Sequence, residues 1–188
     1  MGHTLNATAG SLLGFLHDRP MTGWDLVAAA QQRIGEFWSL TRSQVYRELA
    51  RMADAGLVEA GQRGTRDKRP YQITDQGREA FADWIRQPPA AETIRFPLLL
   101  TIAFGRHLPP PTLAGHIARH RIVHADRLTA YQQQRRQLGD TADTDPHAVA
   151  TLDFGIAYER AVLDWFNDLP PDLGTGGSPG DRRSPYPR

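Results

Sequence analysis

The hydrophobic period of this chain changes at Gly56, and few folds accommodate such a switch. Upstream of it, Val45, Leu49 and Met52 recur on one helical stripe behind Thr41 and Gln44, a pair spaced to close a capping box. Downstream, Leu57–Ala60 and Tyr71–Ile73 are two short extended runs separated by GQRGTRDKRP, a polar, glycine-bearing stretch suited to a hairpin loop. Gly56 stands where a helix can end in a left-handed turn, with Leu57 and Val58 closing it against a core. A capped helix running directly into a basic hairpin limits the fold of this whole half of the chain.

The flanking segments narrow it further. Leu5, Ala9, Leu12, Leu13 and Leu16 predict a first helix over about residues 4–18, stopped by Arg19-Pro20. Thr22, with Asp25 three positions on, predicts the start of a second helix. Trp24, Leu26, Val27 and Ala30 would form its buried side, and it would end near Gly35. Thr74 or Asp75 opens a fourth helix carrying Ala80, Phe81, Trp84 and Ile85, which Pro88-Pro89 terminates. Three helices, a hairpin and a helix within residues 1–90 give the order of a winged helix-turn-helix with a two-stranded wing. The expected fold is mainly α.

Past the linker, residues 91–168 are expected to be helical. Pro97 suits the first turn of a short helix holding Leu98–Leu100, Ile102 and Phe104. A long polar helix from Thr112 to about Leu138 shows Leu113, Ile117, Leu128 and Tyr131, and a final helix runs from about Pro146 to Asp168. Two such stripes would not bury well on each other alone, so a partner chain is expected to cover them and the protein is expected to be a homodimer. The Pro/Gly/Ser-rich stretch 169–188 is expected to be disordered.

Composition removes several function classes. The chain has 188 residues and 40% apolar side chains, enough for a true core. It has no cysteine, which excludes disulfides, thiol chemistry and cysteine zinc sites. No apolar run is long enough for a membrane span, and the first twenty residues lack the basic start of a secretory leader, so a cytoplasmic location is expected. HExxH, glycine-rich phosphate loops and G-x-S-x-G are all missing, so neither an enzyme nor a cofactor is called for.

The charge is local. Residues 42–69 hold seven basic and four acidic side chains, whereas residues 91–188 hold eleven of each. A confined positive field is what a nucleic-acid footprint needs. On the third helix Arg42, Ser43, Gln44, Tyr46 and Arg47 occupy the first turns, the part that enters a major groove. Arg reads guanine bidentately, Gln can read adenine, and Ser or Tyr hydroxyls hold phosphates. Arg66, Lys68 and Arg69 in the hairpin would lie along the adjacent groove or backbone, with double-stranded DNA as the partner.

These residues also resemble a family. LLGFL, TGWDL, SQVYRELARMADAGLV and RPYQITDQGREAFADWI are similar to the motifs of the PadR family of bacterial transcriptional regulators. FPLLLTIAFG and FGIAYERAVLDWFNDL resemble its longer subgroup, whose C-terminal helices form the dimer interface. The likeness covers most of residues 5–168, with Trp24 where the family usually has Tyr and Arg51-Met52 in place of Arg-Leu. It implies a dimeric DNA-binding regulator in which Tyr46 and the neighbouring polar positions touch DNA. Binding a palindrome-like operator would exclude polymerase, so repression is expected rather than activation.

Two further constellations stand apart from the DNA-binding region. Trp165, Phe154 and Tyr158 could line a pocket for a flat, aromatic small-molecule effector, or simply be dimer core. His116, His120 and His124 share a helix face and could chelate a metal, although ordinary surface or interface histidines have the same spacing. No bound metal is expected. Two other functions remain open from the residues alone: a winged-helix protein-interaction module, and a metal-responsive helical protein built on this histidine row.

Overall fold

The computed structural model describes residues 5–33, 35–62, 69–139, 141 and 144–174. The chain divides into two compact units, residues 1–91 and 92–188.

The first unit opens with α1 (Ala7–Leu16), which starts at Asn6, whose side chain accepts from the Ala9 amide at 2.8 Å. The helix is therefore shorter at both ends than the expected 4–18 span. A two-residue strand, β1 (Met21–Thr22), leads into α2 (Gly23–Arg33). Thr22 and Asp25 form the expected reciprocal cap, with the Asp25 amide donating to Thr22 Oγ1 at 3.2 Å and the Thr22 amide donating to Asp25 Oδ2 at 3.0 Å. A 3₁₀ turn over Gly35–Trp38 separates α2 from α3 (Arg42–Asp54).

The end of α3 is a Schellman motif. Gly56 adopts φ 72°, its amide donates to Ala53 O at 3.0 Å, and the Leu57 amide reaches back to Met52 O at 2.8 Å. That reversal delivers β2 (Val58–Ala60), which pairs antiparallel with β3 (Pro70–Ile73) in the register Val58↔Ile73, Glu59↔Gln72, Ala60↔Tyr71. The sheet is larger than expected. β1 adds to the other edge of β3, with Met21 opposite Tyr71, giving three strands in the order β1-β3-β2. Two residues carry too short an alternation to announce a strand in the sequence.

α4 (Asp75–Ile85) is capped by Thr74 and lies on α1. Its rings need small residues beneath them. A Cβ at Gly10 would stand 2.6 Å from the Trp84 indole, and one at Gly77 would stand 2.1 Å from the Leu57 carbonyl oxygen. The core collects fifteen buried side chains, including Leu12, Leu13, Leu26, Val45 and Leu49, without a buried ion pair among them. Two expected members are not in it. Ile85 is 60% exposed at the last position of α4, and Trp24 is 54% exposed.

The second unit holds α5 (Pro97–Ala103), a 3₁₀ turn (Gly105–His107), α6 (Pro110–Leu138), α7 (Pro146–Asn167) and α8 (Pro171–Gly174). α6 and α7 form a helical hairpin. Its core is small: Leu98, Leu113, Ile117 and Phe166 are buried, and Leu169 and Leu173 pack on them. The expected disordered tail is thus corrected at its start. Residues 169–174 belong to the packed unit because two leucines anchor them, while 175–188 lie outside the described residues.

Large apolar side chains remain open on this unit: Leu99, Leu100, Phe104, Ile122, Val123, Leu138 and Phe154 are each more than a third exposed. Among the described residues no helix is long and apolar enough to cross a membrane.

Candidate nucleic-acid interface

α3 is held so that one face is fixed and the other is open. Val45, Leu49 and Met52 are almost fully buried, and Glu48 joins them with 7% exposure. The Thr41–Gln44 box secures the first turn: the Gln44 amide donates to Thr41 Oγ1 at 3.2 Å and the Thr41 amide donates to Gln44 Oε1 at 2.9 Å. Arg42, Ser43, Tyr46 and Arg47 project outward from the first two turns, all exposed. Three donors and a phenol therefore stand on a rigid scaffold at a helix N-terminus, where unpaired amides add a positive end.

The face is not uniform. Gln44 is half-buried and its side-chain carbonyl is occupied by the cap, leaving the amide nitrogen to face outward. It therefore cannot present the donor–acceptor pair that reads adenine while the box stays closed. Arg51, one turn further on, pairs with Glu48 at 3.2 Å and so neutralises the carboxylate that burial would otherwise isolate.

Tyr46 has a structural task as well. Its ring carbons lie 2.7 Å from where a Cβ on Gly23 would stand, so the first residue of α2 packs directly beneath it. The aromatic ring fixes the crossing of the two helices while remaining 50% exposed. Sequence spacing could not show that contact, because it depends on the turn between the helices.

The strand pair continues this side of the fold. At its open end Arg69 is exposed, and its Nε donates to Gly61 O at 3.3 Å while the Gly61 amide donates to Pro70 O at 2.8 Å. Arg69 therefore braces the base of the hairpin. Arg66 and Lys68 lie outside the described residues.

In the second unit the histidine row is divided. His116 and His120 are partly exposed, whereas His124 is 3% exposed and its Nδ1 lies 2.5 Å from Oε2 of Glu159, itself 1% exposed. Phe96 and Phe166 pack on the imidazole, with ring centroids 5.7 and 5.8 Å away. Among the described residues no group of three or more His, Cys, Asp or Glu side chains could hold a metal ion. The reading of the row as a metal site gives way to a buried hydrogen-bonded pair joining α6 to α7. His120 has its pKa lowered, first by burial and then by the positive charge of His124, His116, Arg127 and Arg119.

The three aromatic residues considered for an effector share one flank of α7 but do not converge. Phe154 is 59% exposed, Tyr158 is half-buried, and Trp165 packs on Phe96 and Phe166 at 6.2 and 4.9 Å. Eleven residues of helix separate Phe154 from Trp165, a rise of about 16 Å.

Comparison with known proteins agrees with this architecture. Residues 12–83 match the model of the transcriptional regulator PadR-like family, and residues 94–170 match that of the virulence activator alpha C-terminal region. The chain is 33% identical over 175 residues to the negative transcriptional regulator PadR of Bacillus subtilis, covering 85% of this chain and 93% of that one. Two solved structures of Bacillus subtilis PadR share the fold. The complex with operator DNA superposes with a TM-score of 0.70 at 22% identity, covering 88% of this chain and 97% of that one. The complex with p-coumaric acid gives 0.64 at 22% identity, covering 86% and 95%.

Proposed function

The chain belongs to the PadR-like transcriptional regulator family, and on that premise we propose that it is a ligand-responsive repressor that binds a palindrome-like operator as a homodimer. The observation that carries this reading is the outward face of α3, where Arg42, Ser43, Tyr46 and Arg47 stand exposed on a capped helix whose opposite stripe is locked in the core. That face enters the major groove. Arg42 and Arg47 are the base and phosphate contacts, Ser43 and Tyr46 hold backbone, and Gln44 contributes through its amide nitrogen. Arg66 and Lys68 follow the neighbouring groove from the hairpin, with Arg69 at its base.

Homodimerisation is supported by the open faces of the second unit. Gly115, Ala118, Ile122, Ala125 and Thr129 of α6 are exposed at alternating steps of three and four residues, the seam of a left-handed helix pair. Ala150, Phe154, Ala157 and Ala161 continue the same spacing on α7. A second copy would bury both seams and place two α3 helices on half-sites about one helical turn, roughly 34 Å, apart. Occupying the operator excludes polymerase, so the outcome is repression in the cytoplasm by binding, without catalysis.

The effector class is an aromatic small molecule, in keeping with the p-coumaric acid bound by the similar Bacillus protein. The rings around Trp165 are the part of this chain that suits a flat ligand. Its binding would shift the spacing of the two α3 helices and release the operator.

The test is fluorescence anisotropy of labelled DNA from upstream of the protein's own gene, at about 50 and 200 mM salt, beside an unrelated duplex and an Arg47→Ala variant. Tight, salt-sensitive binding to the upstream duplex that is lost in the variant is expected. Absence of binding to either duplex at low salt would refute the DNA reading and favour a protein-interaction module.

A further inference from the structure

Trp24, in the first unit, departs from its sequence pattern. It occupies the second position of α2 among Leu26, Val27 and Ala30, a spacing that calls for burial, yet it is 54% exposed. Gly23 supplies the cause. It is buried beneath the Tyr46 ring, so the face of α2 turned toward α3 begins at residue 23. The next side chain is carried about 100° round the helix, toward solvent. The result is one exposed aromatic side chain from each helix, Trp24 and Tyr46, with Gly23 packed beneath the second and directly preceding the first.

An exposed indole on this spot has definite chemistry. It offers a flat apolar face and a single N–H donor, with no acceptor. Trp24 therefore suits a surface that pairs an apolar ring with an anionic oxygen, as the deoxyribose and phosphate of a DNA backbone do. The nearest carboxylate does not oppose this. Asp25 Oδ2 accepts from the Thr22 amide at 3.0 Å and the Thr22 hydroxyl at 2.8 Å, so its charge is turned back into the helix cap. Tyr46 itself shares the exposed first two turns of α3 with the cations Arg42 and Arg47. Trp24 thus follows directly on the glycine that the exposed Tyr46 ring covers, and it differs from the candidate groove-binding face in having no charge.

We propose that Trp24 is a sequence-independent clamp on the sugar–phosphate backbone beside the bases that α3 reads. Its ring lies against a deoxyribose and its Nε1–H donates to a phosphate oxygen. This rests on the reading of α3 as the groove-entering helix and deepens it. A neutral donor releases no counterion and touches no base edge, so Trp24 contributes affinity without salt dependence and without sequence preference. It is a positioning residue: by fixing where α2 rests on the backbone, it sets the depth and register at which α3 enters the groove.

The experiment compares wild-type protein with Trp24→Phe, full length, on the upstream duplex and an unrelated duplex at several salt concentrations. Because the side chain is exposed, the variant should keep the wild-type unfolding midpoint. Affinity is expected to fall about tenfold on both duplexes, the loss of one hydrogen bond to a charged acceptor, with the slope of log affinity against log salt unchanged. The difference between wild-type and variant tryptophan emission isolates residue 24, and it should change on saturation with either duplex. Wild-type affinity in the variant would overturn the proposal. So would a loss confined to the upstream duplex, which would mark a base contact, or a shallower salt slope. Failure of the wild-type protein to bind either duplex would remove the DNA reading itself, and this clamp with it.

Discussion

The two units of this chain are stabilised by different means. Residues 1–91 close on fifteen buried apolar side chains, with side-chain caps at the starts of all four helices and a Schellman reversal at Gly56. Among its described residues the second unit, 92–188, buries five apolar side chains and places a histidine and a glutamate among them, while leucines, isoleucine and phenylalanine stay open. The first unit can position a recognition surface by itself, because the stripe of α3 opposite that surface is buried within it. The second has exposed apolar side chains at helical seam spacing, the surface on which the proposed partner copy would bind. One unit is built for precision and the other for assembly.

Substitutions should separate the two. The largest effect is expected from Gly77→Ala, because the new methyl would meet the Leu57 carbonyl oxygen at 2.1 Å, and backbone cannot yield as a side chain tip does. A loss of about 3 kcal/mol in the first unit's stability is expected. DNA binding should vanish while sedimentation still reports a dimer. A variant that lost dimerisation as well would break the division between the units.

Glu159→Ala should act in the opposite direction. It removes the partner of a 3% exposed imidazole and opens space between α6 and α7. The loss of a buried hydrogen bond together with the space left behind is expected to be about 2 kcal/mol. Denaturant unfolding should show the second unit melting earlier, with dimerisation weakened and the near-ultraviolet signal of the first unit kept.

Thr41→Ala tests the precision of the recognition face more gently. It removes the Thr41 hydroxyl that accepts from the Gln44 amide, and keeps the backbone amide that donates to Gln44 Oε1, at a cost of about 1 kcal/mol. Operator affinity should fall through fraying of the turn that carries Arg42 and Ser43, while an unfolding scan moves by only a few degrees.

The smallest effect concerns His120. Its pKa is lowered in the folded state, so below the ordinary histidine value the unfolded chain binds the proton more readily than the folded one. Stability of the second unit should therefore decline as pH falls through about 6.5. His120→Gln should flatten that decline, read from unfolding midpoints between pH 7.5 and 5.5.

The first unit was largely legible because its signals are local. Thr22–Asp25, Thr41–Gln44, Gly56 and the Val45–Leu49–Met52 stripe each act within one or two turns, and each sits where the spacing put it. What escaped depends on distant contacts. β1 exists because Met21 meets Tyr71, and Trp24 turns outward because Tyr46 takes the place beside Gly23. In the second unit, His124 reads as one of a row of three histidines, and only Glu159, thirty-five residues on, gives it a reason to be buried. Ile85 was miscounted because the last position of a helix has no neighbour beyond it to cover it.

The most direct test of the account is the mass of the complex. Analytical ultracentrifugation of the protein with a duplex from upstream of its own gene should give two 21.0 kDa chains on each DNA, and Arg47→Ala should leave a free dimer beside free DNA. A complex with one chain per duplex, or binding that Arg47→Ala leaves intact, would contradict it.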